Sequence, residues 1–239
     1  MFFIEFLGFC SLNSITIAYF FSYVVPDPVD QEKIDLVFAV SASSTKAKET
    51  FDLMKETLLS IVPRHGMKNI HYTVMTYGSI TRTIVDFQDT FPDEQALLKK
   101  LESLSTISGT PDLDLALADA KKAFEAPGAR PDAKKVLVFL VDSKSGSTEE
   151  DVLKSAMALE EFWVKVIPVG IGSKVNRKEL EKTTPLKKNI IEVPTEENPE
   201  RLGKEIMKKV SESEYIVHYL LYVVNVSHVF SCQLLIKYH

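Results

Sequence analysis

The interior of this 239-residue chain contains no cysteine; the only two, Cys10 and Cys232, lie near its ends. A disulfide scaffold and C-x-x-C zinc spacing are thereby excluded, and a cysteine-free middle fits an extracellular domain as well as a cytosolic one. Positive charge is also in deficit, with 28 Lys+Arg against 33 Asp+Glu. A net charge of −5 excludes a broad phosphate-binding surface, so nucleic acid is not an expected partner. The lysine pairs 99–100, 121–122, 134–135, 187–188 and 208–209 are dispersed among acids and read as solvated surface. There is no Gly-x-x-x-x-Gly-Lys loop, no nucleophile elbow, and no histidine beside a candidate nucleophile. Gly170-Ile171-Gly172 lacks the third glycine of a dinucleotide loop and reads as a tight strand exit. His65 and His71 show no metal-ligand spacing.

Charge of either sign is missing from two stretches, residues 6–26 and 215–236. Each is about the 20 residues that cross a bilayer as a helix. The first is expected to be a signal peptide or signal anchor, with a buried or artefactual segment as the alternative, since Glu5 stands where a basic residue is usual and no small-x-small cleavage site follows. The second holds His218, Asn225, His228 and Gln233, all costly in hydrocarbon, and reads as a membrane anchor, a strand or an aberrant chain end. The expected organisation is therefore an apolar segment at 1–26, a folded domain at 31–213 and an apolar segment at 214–239.

The middle alternates two periodicities. Residues 35–40, 135–141 and 164–171 are short, β-branched, almost continuously apolar runs, as strands are when helices cover both faces of a parallel sheet. Residues 71–77 and 81–87, separated by Gly78-Ser79, read as a hairpin that adds one antiparallel edge, and 190–193 as a weaker sixth strand. Helical spacing of apolar residues fills 46–62, 93–104, 113–124, 152–162 and 202–210. Pro63, Pro127, Pro185 and Pro194 are expected between elements, and Trp163 at a helix end packing on the sheet. Strand–helix alternation with covered strands predicts a doubly wound, mostly parallel six-stranded α/β sheet with helices on both faces.

Ligands of such sheets bind beyond the carboxyl ends of the strands. Three loops there carry chemistry: Ser41-Ala42-Ser43-Ser44-Thr45, then Ser108-Gly109-Thr110-Pro111-Asp112, then Asp142-Ser143-Lys144-Ser145-Gly146-Ser147. Hydroxyls and carboxylates at one sheet edge suit a hard divalent cation such as Mg²⁺. The same residues also serve ordinary local roles. Ser43, Ser44 and Thr45 are good helix N-caps, Thr110 before Pro111 reads as a capping threonine, and Asp112 and Asp114 are acids favoured in a first helical turn.

Taken in order, the hydroxyl loop after the first strand, the Gly-Thr opening a helix, the Val-Asp strand end and the late strand VKVIPVGIG resemble a von Willebrand factor type A (vWA) domain of the integrin I-domain or matrix-protein kind. The resemblance covers about residues 33–210. It implies a metal-ion-dependent adhesion site (MIDAS) in which an Asp-x-Ser-x-Ser loop, a threonine and an aspartate hold a cation that then accepts an acidic side chain from a protein partner. By position the ligands would be Ser43, Thr45, Thr110 and Asp142, with Ser41 standing where the family has its opening aspartate. A hydroxyl there offers no charge, so the resemblance implies a degenerate site with weak binding of Mg²⁺ or Mn²⁺. Ser44, Asp112, Ser143 and Lys144 would form the surrounding ligand surface.

The function so implied is non-enzymatic protein binding in cell adhesion or the extracellular matrix, with a matrix or adhesion protein as partner, collagen-like ones included. No small-molecule substrate is expected. An α/β enzyme of phosphoester or nucleotide chemistry at the same edge, supported by Asp142, and an intracellular scaffold of the same fold remain alternatives at this stage.

Overall fold

The computed structural model describes residues 2–12, 15–25, 32–42, 48–212 and 233–237. The chain divides into two compact units, residues 1–31 with 212–239, and residues 32–211. In the first unit, β1 (Phe2–Leu12) pairs antiparallel with β2 (Ile15–Val25) and with β9 (Gln233–Lys237). Among the described residues no helix is long and apolar enough to cross a membrane.

The second unit runs β3 (Ile34–Ser41), α1 (Lys48–His65), β4 (Ile70–Tyr77), β5 (Thr81–Val85), α2 (Glu94–Glu102), α3 (Leu113–Glu125), β6 (Lys134–Val141), α4 (Glu149–Glu161), β7 (Lys165–Ile171), α5 (Arg177–Lys182), β8 (Ile191–Val193) and α6 (Pro199–Ser211). The strands form one sheet in the order β5-β4-β3-β6-β7-β8, with only the β4–β5 pairing antiparallel. The six-stranded doubly wound architecture legible in the sequence is the observed one. Alternate residues of each central strand feed two cores. Ile34, Leu36, Phe38 and Val40 of β3 pack with α1, α2 and α6. Val37 and Ala39 pack with α3, α4 and Leu180 of α5. Because both faces are covered, neither needs a polar stripe, and this is why β3 and β6 read as unbroken apolar runs.

Four local expectations change. Pro63 lies inside the last turn of α1 rather than beyond it. The helix ends three residues later at Gly66, whose φ of 65° suits glycine and whose amide donates to the Val62 carbonyl (2.9 Å). Lys134 is buried rather than solvated, reaching Glu32 at 3.4 Å, and Lys135 lies over the Phe162 ring at 5.4 Å. Helix α5 is absent from the sequence reading, since Leu180 is its one apolar residue and gives no periodicity to detect. Trp163 does not pack on the sheet: it is 63% exposed.

Candidate functional site

Strands β3 and β6 are neighbours, and the chain leaves them in opposite directions across the sheet, β3 to β4 on one side and β6 to β7 on the other. Such a switch point leaves a crevice at the carboxyl ends of the two strands. Ser41 ends β3 and Asp142 follows β6, so the fold sets them side by side. The buried Ser41 hydroxyl donates to Asp142 Oδ1 at 3.0 Å, and the Ser143 hydroxyl reaches the same oxygen at 3.3 Å. Beneath them the fully buried Tyr77 donates from its hydroxyl to the Leu140 carbonyl at 3.3 Å. Burial, with the nearby Asp142 and Glu179 carboxylates, pushes the Tyr77 phenol far above its ordinary range, so it stays protonated.

Backbone bonds knit the adjoining loops together. The Ala42 amide donates to the Tyr77 carbonyl (2.8 Å), the Ile107 amide to the Ala42 carbonyl (2.7 Å), and the Asp112 amide to the Gly78 carbonyl (2.9 Å). Gly109 takes φ 104°, and a Cβ there would stand 2.7 Å from the Ser79 Cβ, so only glycine lets these loops meet.

The second and third loops are joined through the start of α3. Its N-cap is Asp112 rather than Thr110, and the Asp112 side chain makes no cap bond of its own. Instead the Leu113 amide donates to Ser145 Oγ (2.9 Å) and the Asp114 amide to Ser147 Oγ (3.1 Å). The third loop thus satisfies helix amides that would otherwise lack partners. The Ser147 hydroxyl then donates to Asp112 Oδ1 (2.7 Å), and the Gly146 amide to the Pro111 carbonyl (2.8 Å). The two neighbouring carboxyls act on each other, Asp114 holding Asp112 below the usual carboxylate range and Asp112 holding Asp114 above it. Thr110 is exposed and lies against Gly146, whose added Cβ would stand 3.2 Å from Thr110 Cγ2. Lys144 is exposed, and Ser143 half-buried. Ser43, Ser44 and Thr45 lie outside the described residues.

The sequence did not disclose the roles of three contributors. Ser145 and Ser147 looked like plain loop serines; their spacing of two, set against a helix start some 30 residues earlier, is the only hint they carried. Glu179, on α5, accepts the Ser145 amide at 3.2 Å and is buried. Burial raises its carboxyl pKa, against the opposing pull of that amide and of Lys144. A folded-state value above the unfolded one stabilises the fold below the ordinary glutamate pKa, and this contribution is lost as pH rises through the raised value. Glu179→Gln, which keeps the acceptor and removes the charge, is therefore expected to flatten this part of the decline in Tm from mildly acid to neutral pH. Thermal melts across that window check it; an unchanged slope would show that Glu179 does not contribute it.

The donor set can be weighed against a divalent ion. Its atoms are all oxygens, as a hard cation requires. Yet Ser41 brings no charge and spends its proton on Asp142, whose Oδ1 already accepts two hydroxyls. Among the described residues no group of three or more His, Cys, Asp or Glu side chains could hold a metal. Of the ligands that the resemblance assigns, the described residues supply the hydroxyls of Ser41 and Thr110 and the single carboxylate of Asp142, a low charge for a divalent ion.

The sequence pattern of the von Willebrand factor type A domain matches residues 35–205. The collagen alpha-6(VI) chain of Mus musculus is 26% identical over 187 residues, 76% of this chain but 8% of that one. Proximal thread matrix protein 1 from the mussel byssus has the same fold, with a TM-score of 0.67 at 19% identity, covering 75% of this chain and 48% of its own. Another structure of that mussel protein, described as having a zinc-occupied MIDAS motif, gives a TM-score of 0.65 at 20% identity, with the same coverage. A von Willebrand factor type A protein from Catenulispora acidiphila follows at 0.62 and 17%, covering 74% and 42%. The chain thus spans under half of the length of these relatives. A match over most of the chain, on a six-stranded sheet with its loops at the expected switch point, makes this protein a member of the von Willebrand factor type A domain family.

Proposed function

We propose that this protein is a non-enzymatic protein-binding module of the extracellular matrix or cell surface, recognising its partner at the carboxyl edge of the sheet with little or no dependence on a divalent cation. The observation that carries this reading is the direct hydrogen bond from Ser41 to Asp142. It closes the site with a hydroxyl where the family resemblance calls for a second carboxylate and a bridging ion. The recognition face then consists of Asp142, Ser143, Lys144, Thr110 and the exposed Ile80, and the family resemblance adds Ser44, which lies outside the described residues. Relatives in collagen VI and in a mussel matrix protein support the matrix setting, and collagens are the first partners to try. Weak Mg²⁺ or Mn²⁺ binding through Ser43, Thr45, Thr110 and Asp142 would assist rather than create this face.

The test is binding of the full chain to purified matrix proteins, collagens included, in EDTA and in Mg²⁺. Saturable binding is expected to change by less than about threefold between the two, and to weaken by about tenfold or more, roughly 1.4 kcal/mol, in Lys144→Glu and Ile80→Ser. Binding that vanishes in EDTA, or that both variants leave intact, would overturn the reading. So would turnover of a generic phosphoester that is lost in Asp142→Ala.

A further inference from the structure

Helix α4 buries Val152, Ala156 and Leu159 against the sheet and turns Leu153 and Met157, 44% and 53% exposed, to solvent. Its end carries the chain's one tryptophan. The Val164 amide donates to the Leu159 carbonyl (3.0 Å) and the Trp163 amide to the Glu160 carbonyl (2.9 Å). That pairing is a Schellman cap, and Trp163 holds its left-handed position at φ 58°, the seat ordinarily taken by glycine. A bulky residue is strained there. The exposed indole neither fills the core nor eases the backbone, so the fold gives no reason for it. Strain held at an exposed position points to function, and tryptophan is the residue most enriched in interface anchors.

We propose that the outer face of α4, ending at Trp163, is a second docking surface, and that its occupant is a basic protein segment bearing an apolar anchor. Charge selects that occupant. The helix reads EEDVLKSAMALEE, with five acids and one lysine. Glu149 pairs with Lys182 and Asp151 with Thr148, while Glu150 and Glu161 flank the Leu153–Met157 stripe on the exposed side. The nearby cations Lys121 and Lys135 lie over the Phe162 ring, and Lys121 is also engaged by Glu125. Such a face repels an anionic lipid surface and repels the same face of a second copy, whereas a Lys- or Arg-rich segment is attracted. Helix α4 runs from the Asp142 loop towards the opposite edge of the sheet, so this surface is separate from the one at Ser41 and Asp142.

Because Trp163 is the only indole, its emission in the full chain reports on the surface directly. The probe is a helical peptide of lysine and leucine, with a glutamate–leucine peptide as control. A saturable blue shift is expected with the basic peptide, weakened by salt and absent with the acidic one. Leu153→Ser and Met157→Ser, which keep the indole and the charge, are expected to weaken it by about tenfold or more. No shift, an equal shift with the acidic peptide, or an unchanged response in both serine variants would overturn the proposal. So would an indole already shielded from iodide in the unliganded full chain. Trp163→Gly separates docking from folding: binding of a labelled basic peptide is expected to be lost while Tm rises by about 2–4 °C. A fall in Tm would assign the indole to the fold and contradict the proposal.

Discussion

Ser41→Asp is expected to make the stability of this fold depend on Mg²⁺. The wild-type hydroxyl donates to Asp142 Oδ1 at 3.0 Å from a buried strand end. An aspartate in its place loses that bond and sets two carboxylates about 4 Å apart, a repulsion of roughly 4 kcal/mol at an effective dielectric near 20. One carboxyl of such a pair keeps its proton to a raised pKa. In EDTA the variant is therefore stable in mild acid and loses stability as pH rises through that raised value. Mg²⁺ replaces the proton: at about 100 times its dissociation constant it restores roughly 2.7 kcal/mol, whereas the wild type moves little. Melts of both proteins in EDTA and Mg²⁺ decide it. A variant indifferent to both would mean that position 41 does not face Asp142 as described.

The largest loss of stability is expected from Asp35→Ala, at the opposite edge of the sheet. Asp35 is fully buried; its carboxylate accepts the Arg130 backbone amide at 2.6 Å and Arg130 Nε at 2.8 Å. Arg130 Nη2 also donates to the carbonyls of Ile34 (2.7 Å) and Asn69 (3.0 Å). One side-chain pair thus pins the starts of β3, β4 and β6, the strands that carry the site at their far ends. Removing the acid strands a mostly buried guanidinium, at a cost of about 3–5 kcal/mol. Asp35→Leu with Arg130→Met is expected to recover much of that, because an apolar pair leaves no uncompensated charge. Urea unfolding of the three proteins checks it. A single variant losing less than about 1 kcal/mol would place the pair among weakly contributing surface bridges.

The two edges differ in how far the sequence exposed them. The doubly wound six-stranded sheet and the placing of Ser41 and Asp142 at its carboxyl edge were legible because covered parallel strands write continuous apolar runs, and the chain's alternation fixes which ends face the ligand. The Ser41–Asp142 bond was not, since two residues 101 apart carry no mark of their separation in space. Read by itself, Ser41 looked like a missing ligand; set beside Asp142 it is a replacement contact. The roles of Ser145, Ser147 and Glu179 were hidden for the same reason, as each acts on a helix start or loop distant in sequence. Trp163 misled differently: a large apolar residue at a helix end predicts burial, whereas the structure leaves it 63% exposed at the left-handed position of the helix cap.

The most direct test of the central claim is calorimetric titration of the full chain with Mg²⁺ and Mn²⁺, with Asp142→Ala alongside. A site closed by Ser41 on Asp142 predicts no binding tighter than about 1 mM, where association is worth only about 4 kcal/mol. Micromolar binding abolished by Asp142→Ala would contradict it, because the cation would then be integral to the site despite the serine.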